Sequence, residues 1–212
     1  MKQKERAQLV QEILDQTIPD PKIPLHFSDP FTLLVATLLS AQCTDDKVNL
    51  ITKTLFRYAR TPEELCLIPY DTLEGIIRPC GLSKKKAKAL LEIADILIEK
   101  YGGKVPSTFK DLETLPLVGH KTASVIRIHA FNKQAFPVDT HIFRSAHRWK
   151  LSQGKTVEEV EKTLKRLFPA TSWARLHLQI ILFARKYCKA RPHDPTQCPM
   201  CRALEKAPHR AS

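Results

Sequence analysis

Glycine is scarce in this chain, six residues of 212, and few stretches alternate apolar and polar residues with period two. Nothing in the pattern calls for a sheet. Long apolar runs are missing too. The most apolar segment, FTLLVATLLSA (31–41), is far short of the roughly 18–20 residues that span a bilayer. The N-terminus, MKQKERAQLV, has charged residues where a signal peptide would need its apolar stretch. Acidic residues are outnumbered, leaving a net charge of +12. A surface that basic suits a polyanion such as nucleic acid, or less specifically an anionic membrane. The membrane reading fails for want of a strongly amphipathic basic helix with aromatic anchors.

What is present reads as an ordinary globular protein. Hydrophobic residues make up 43% and charged residues 26%, which excludes a disordered or fibrous chain. The length suffices for one large domain or two small ones, with a real core. Six cysteines (Cys43, Cys66, Cys80, Cys188, Cys198, Cys201) do not form a disulfide framework. With no signal segment, a reduced, cytoplasmic setting is expected, where clustered cysteines more often hold metal.

Fifteen prolines punctuate segments whose apolar positions recur at three and four residues: 9–18, 31–41, 48–59, 87–101, 123–131, 157–168 and 174–187. Helix starts are signalled by Asp29 before Pro30, Thr44 with Asp45, Ser83, Ser107 and Thr156. The reading is all-α, about ten helices and no sheet. The segment ARPHDPTQCPMC (190–201) has no such period and reads as a loop organised around something other than an apolar core.

The stretch LETLPLVGHKTASVI (112–126) carries most chemistry. A short helix ends near Leu115, Pro116 stops it, and Gly119 permits a tight turn before a new helix. The open amides and positive dipole end of that helix form a phosphate site, and His120 and Lys121 add charge. A corner that merely packs is the plain alternative. An ammonium at Lys121 faces the dipole's positive end, which favours the neutral amine, a nucleophile able to form a Schiff base with a sugar aldehyde. A solvated surface lysine is the alternative there. Asp139, in QAFPVDTHIFRSAHRWK (134–150), is placed to cap a helix. As a carboxylate it could also stabilise cationic sugar character or move protons. His141, Arg144, His147, Arg148 and Lys150 make this stretch basic.

LPLVGHKTA, then VDTHIFR eighteen residues after the lysine, then a cysteine-bearing tail, resemble the endonuclease III family of helix-hairpin-helix DNA glycosylases with AP-lyase activity. LLSAQCTDDKVN (38–49) and GLSKKKA (81–87) match as well, so the resemblance covers nearly the whole chain. It implies an all-α fold of two helical lobes with the DNA cleft between them: a central barrel over 22–134, with its hairpin at about 108–131, and a second lobe from 1–21 plus 135–212, with a tail at 188–212. It implies that Lys121 attacks C1′ of the damaged nucleotide with help from Asp139. Gln42 and Leu82 would fill and wedge the duplex when the base flips out. Val118, Gly119, His120, Thr122, His141 and Arg144 would contact DNA. The expected partner is double-stranded DNA bearing oxidised pyrimidines or abasic sites, bound by a monomer in a bacterial-type, nucleoid-associated setting.

Monofunctional relatives that excise adenine lack the hairpin lysine and carry a further domain; Lys121 and the end at residue 212 tell against them. A non-catalytic DNA-binding module explains the charge and hairpin but not Lys121 together with Asp139.

Two departures from the family stand out. Leu117 replaces the hairpin's usual first glycine. If that position needed positive φ, leucine would be strained by roughly 1–3 kcal/mol, and the expectation is that Gly119 keeps the turn's shape. The family's [4Fe-4S] motif has four cysteines spaced C-x6-C-x2-C-x5-C, whereas here Cys188-x9-Cys198-x2-Cys201 is followed by Ala207 at the fourth position. Three readings compete for the tail: a cluster on three thiolates with an outside or non-Cys fourth ligand, a metal-free remnant, or zinc on the three cysteines with His193 or His209.

Overall fold

The computed structural model describes residues 1–206, and among these it holds twelve α-helices, two 3-10 turns and no strand. By its internal contacts the chain divides into two units, Ile23–Lys133 and the two chain ends, Met1–Lys22 with the segment from Gln134 onward. Among the described residues, no helix is long and apolar enough to cross a membrane.

The Ile23–Lys133 unit is organised around α2 (Pro30–Leu39), whose residues are buried from Phe31 to Leu39. A helix apolar on every side must lie inside. Asp29 caps it, accepting the Thr32 amide at 2.9 Å. Packed with it are α3 (Asp45–Leu55), α6 (Ser83–Tyr101) and α8 (His120–Phe131). The short helices α4 (Pro62–Cys66), α5 (Tyr70–Ile77) and α7 (Phe109–Leu112), with a 3-10 turn at Arg78–Cys80, complete the unit. The stripe Ala87, Leu90, Ile93, Ala94 and Leu97 turns α6 toward the core.

Two start signals shift by one residue. Ser83 is the first residue of α6 rather than its cap, because Leu82 adopts the left-handed conformation ahead of it. Its hydroxyl instead donates to Glu74 at 2.6 Å. At α7 the cap is Thr108, not Ser107, with the Thr108 hydroxyl accepting the Asp111 amide at 3.1 Å.

The unit of the two chain ends contains α1 (Gln3–Thr17), α9 (Thr140–Arg148), α10 (Val157–Leu167), a 3-10 turn at Ala170–Ser172, α11 (Trp173–Lys186) and α12 (Pro199–Lys206). Its core holds the fully buried Trp149, edge-on to Phe183 at 5.7 Å. Thr156 caps α10 through the Glu159 amide at 3.2 Å. Cys188, Cys198, Met200, Cys201 and Leu204 join that core. The aperiodic tail is thus part of the fold.

Candidate functional site

In the hairpin, the Leu115 amide donates to Leu112 O and the Val118 amide to Leu115 O, both at 3.1 Å. The left-handed residue between them is Leu117, at φ +59°. Gly119 is extended, with φ −90° and ψ 178°. The expectation that Gly119 shapes the turn is therefore corrected. Leu117 carries it, at a cost of about 1–2 kcal/mol, offset by burial of Leu115 and Val118 on either side.

Gly119 has a different use. As N-cap of α8 it supplies no side-chain hydrogen bond, so the first-turn amides keep their capacity for an anion. A Cβ there would meet nothing within 4 Å, so what the glycine provides is an unobstructed approach. His120 is turned aside: its Nδ1 lies 2.7 Å from Glu113, and its ring stacks on Phe109 at 4.7 Å. Lys121, the next residue, is exposed on the first turn. Thr122 is half-buried, and the Val118 side chain is buried with its amide bonded inside the turn.

Asp139 caps α9, its Oδ1 accepting the Ile142 amide at 2.9 Å. Oδ2 has no hydrogen-bond partner among the described residues. Arg144, half-buried, directs one guanidinium nitrogen to Cys188 O at 3.2 Å and to His141 Nδ1 at 3.3 Å. It ties α9 to the start of the tail.

Gln42 and Leu82 are both left-handed, at φ +57° and +52°, and Leu82 is 53% exposed. An exposed leucine on a strained backbone is costly unless something fixes it there. Lys86 is that fixture, and the sequence reading missed it. Its side chain is buried, and Nζ donates to Leu39 O (2.9 Å), Ala41 O (2.8 Å) and Cys80 O (3.1 Å). One ammonium thereby satisfies carbonyls at the end of α2, just before Gln42, and at the 3-10 turn before Leu82. Burial pushes its pKa down, and the three carbonyls supply the solvation that burial removes. Beside it, hydrogen bonds from Arg78 (2.6 Å) and Ser83 hold the Glu74 carboxyl down at about 2.

In the other unit, ligand atoms of Cys188, His193, Cys198 and Cys201 all lie within 4.8 Å of one another. His193 Nε2 is 3.4 Å from Cys201 Sγ. The Asp194 side chain accepts the Thr196 amide (2.8 Å) and hydroxyl (2.7 Å) and so builds the turn between histidine and cysteines. The Cys188 thiol is held down at about 5, first by its hydrogen bond with Cys198, against the cost of burial, with Arg148 donating to its Sγ at 3.4 Å. The Cys198 thiol is pushed up by the same pair and by burial. Three thiolates and an imidazole can hold a metal. The candidate His209 and the family's fourth position, Ala207, lie outside the described residues.

A hairpin with an open helix N-terminus and an exposed lysine, on an all-α frame, defines a class, and comparison with known proteins agrees. Residues 35–170 match the HhH-GPD superfamily base excision DNA repair protein family. Endonuclease III of Bacillus subtilis (strain 168) is 42% identical over 192 residues, 89% of this chain and 88% of that protein. A non-covalent endonuclease III–DNA complex superposes with a TM-score of 0.91 at 38% identity, covering 97% of this chain and 98% of that one. A trapped endonuclease III–DNA covalent intermediate gives 0.90 at 39% identity, covering 94% of each chain. The chain belongs to the endonuclease III family.

Proposed function

We propose that this protein is a bifunctional DNA glycosylase and AP lyase of base excision repair, acting on oxidised pyrimidines in duplex DNA. The observation that carries it is the family membership over nearly the whole chain, joined to an exposed lysine on the hairpin helix. Its relatives include an endonuclease III trapped as a covalent intermediate with DNA.

Each residue then has a task. The basic surface and the open amides of α8 hold the phosphate backbone while the damaged base leaves the stack. Lys121 Nζ bonds to C1′, the glycosidic bond breaks, and the base departs with the electron pair and takes up a proton. The sugar ring opens, leaving an iminium between Nζ and C1′. Loss of a proton from C2′ expels the 3′ phosphate by β-elimination, and water then hydrolyses the iminium to free the lysine. Asp139, with Oδ1 on the helix cap, offers Oδ2 to the developing sugar cation or to proton transfer. Gln42 and Leu82 serve as the residues that enter the duplex, on loops fastened by Lys86. For the tail, a [4Fe-4S] cluster is the group the family suggests; none of these steps passes through it. A cytoplasmic setting fits a DNA-repair enzyme of bacterial type.

The test is a pair of single-turnover assays, base removal from an oxidised pyrimidine and strand cutting at an abasic site. Lys121→Ala is expected to lose both activities and keep DNA binding. Strand cutting retained by that variant would show that another group is the nucleophile.

A further inference from the structure

The tail departs from its family in the residues it offers, and the departure decides what it can hold. A [4Fe-4S] cubane places one ligand on each of four irons, which spreads the ligand atoms to roughly 6 Å from one another. A single tetrahedral zinc, with thiolates about 2.3 Å away and an imidazole slightly closer, draws them to about 3.5–4 Å. Here all four ligand atoms lie within 4.8 Å, and His193 Nε2 is 3.4 Å from Cys201 Sγ. The set is too tight for a cubane.

We infer that Cys188, His193, Cys198 and Cys201 form a mononuclear zinc site, a tetrahedral Cys₃His centre where the family motif has a four-cysteine cluster. The surroundings are built for it. Cys198 and Cys201 flank the start of α12, a CPMC half-site of the spacing zinc uses, and the Arg202 amide donates to Cys198 O at 3.0 Å. The Asp194 turn sets His193 across from them. Arg148 donates to the Cys188 sulfur and to its carbonyl (3.3 Å), as outer partners of metal ligands do. All three cysteines are buried, and His193 is half-buried. A cavity of about 370 Å³, lined by Arg6, Arg148, Lys150 and Glu205, opens onto His193 and Cys201, and its cationic side chains offset the negative charge of a three-thiolate centre. Closed coordination by four protein ligands marks the centre as structural, holding the tail against α1 and α9 rather than acting on DNA.

The experiment is elemental analysis of the full chain, purified anaerobically from cells supplied with both iron and zinc and without a metal-affinity step. The expected result is about one zinc per chain, no acid-labile sulfide and no brown colour, with cobalt substitution giving the intense spectrum of a tetrahedral thiolate site. Iron with stoichiometric sulfide, or no metal at all, overturns the proposal. His193→Ala tests the fourth ligand without removing a buried thiol. It should weaken zinc binding by more than about tenfold against a chromophoric chelator, since even an outer partner of a ligand costs that much. Unchanged zinc affinity in that variant would remove His193 from the site.

Discussion

Only one oxygen of the Asp139 carboxylate is needed by α9, and this separates its two roles experimentally. Asparagine caps a helix as well as aspartate does. Asp139→Asn is therefore expected to leave thermal stability nearly unchanged while slowing base removal by about 10²–10⁴-fold. Asp139→Ala should in addition lose about 1 kcal/mol of stability. An unchanged rate of base removal in the asparagine variant would reduce the residue to a cap. Leu117 gives a second test. A glycine there escapes the left-handed penalty but costs chain entropy, so Leu117→Gly should raise stability to urea by up to about 1 kcal/mol. A clear loss would mean that the exposed leucine is held by something beyond the turn. Leu117 also marks where residue-by-residue reading falls short. Glycine's freedom drew the turn to Gly119, because the rule ranks residue types and cannot see which position the flanking hydrogen bonds force.

The helices themselves were legible. Period-three-and-four stripes gave α1, α2, α3, α6, α8, α10 and α11, and Asp29 and Thr156 announced their caps. Lys86 was not, because KKKAK (84–88) reads as a solvated run. The signal that could have found it is phase: Lys86 stands four residues before Leu90 and seven before Ile93, on the buried stripe of α6. Truncating it strands two buried carbonyls and a partly buried one, and Lys86→Met should cost about 2–4 kcal/mol. If its hold on the loops of Gln42 and Leu82 matters, base removal should suffer more than cutting of a ready-made abasic site. Equal effects would make it a purely structural tie. Glu74 fastens α5 to the first residue of the same helix. Its carboxyl titrates at about 2 when folded, against an ordinary 4.5. The stability it contributes is complete above about pH 4.5 and is lost as pH falls toward about 2. Acid unfolding of Glu74→Gln should accordingly be flatter over that window than that of the wild type; identical curves would show that Arg78 and Ser83 contribute nothing there.

For the whole molecule, the excess of basic residues left nucleic acid and an anionic membrane both open, and the chemistry came from the resemblance carried by the hairpin with Lys121 and by Asp139. What sequence spacing could not supply was the metal. Cys188-x9-Cys198-x2-Cys201 left cluster, empty tail and zinc all open, with zinc the least favoured for its unusual spacing, because ligand distances depend on how the Asp194 turn folds His193 back on the cysteines. The net charge of +12 also sets an expectation for binding: affinity for undamaged duplex should fall linearly in log–log terms with salt, by about 0.9 per phosphate neutralised. A slope near zero would contradict the phosphate-holding surface.

The central claim, a covalent lysine mechanism on DNA, is tested most directly by borohydride trapping. Wild type and Lys121→Ala are incubated with duplexes carrying an oxidised pyrimidine or an abasic site, reduced, and resolved by denaturing electrophoresis. The account predicts a protein–DNA adduct on both substrates with the wild type and on neither with the variant. Absence of any adduct with DNA binding intact, or an adduct undiminished in Lys121→Ala, would contradict it.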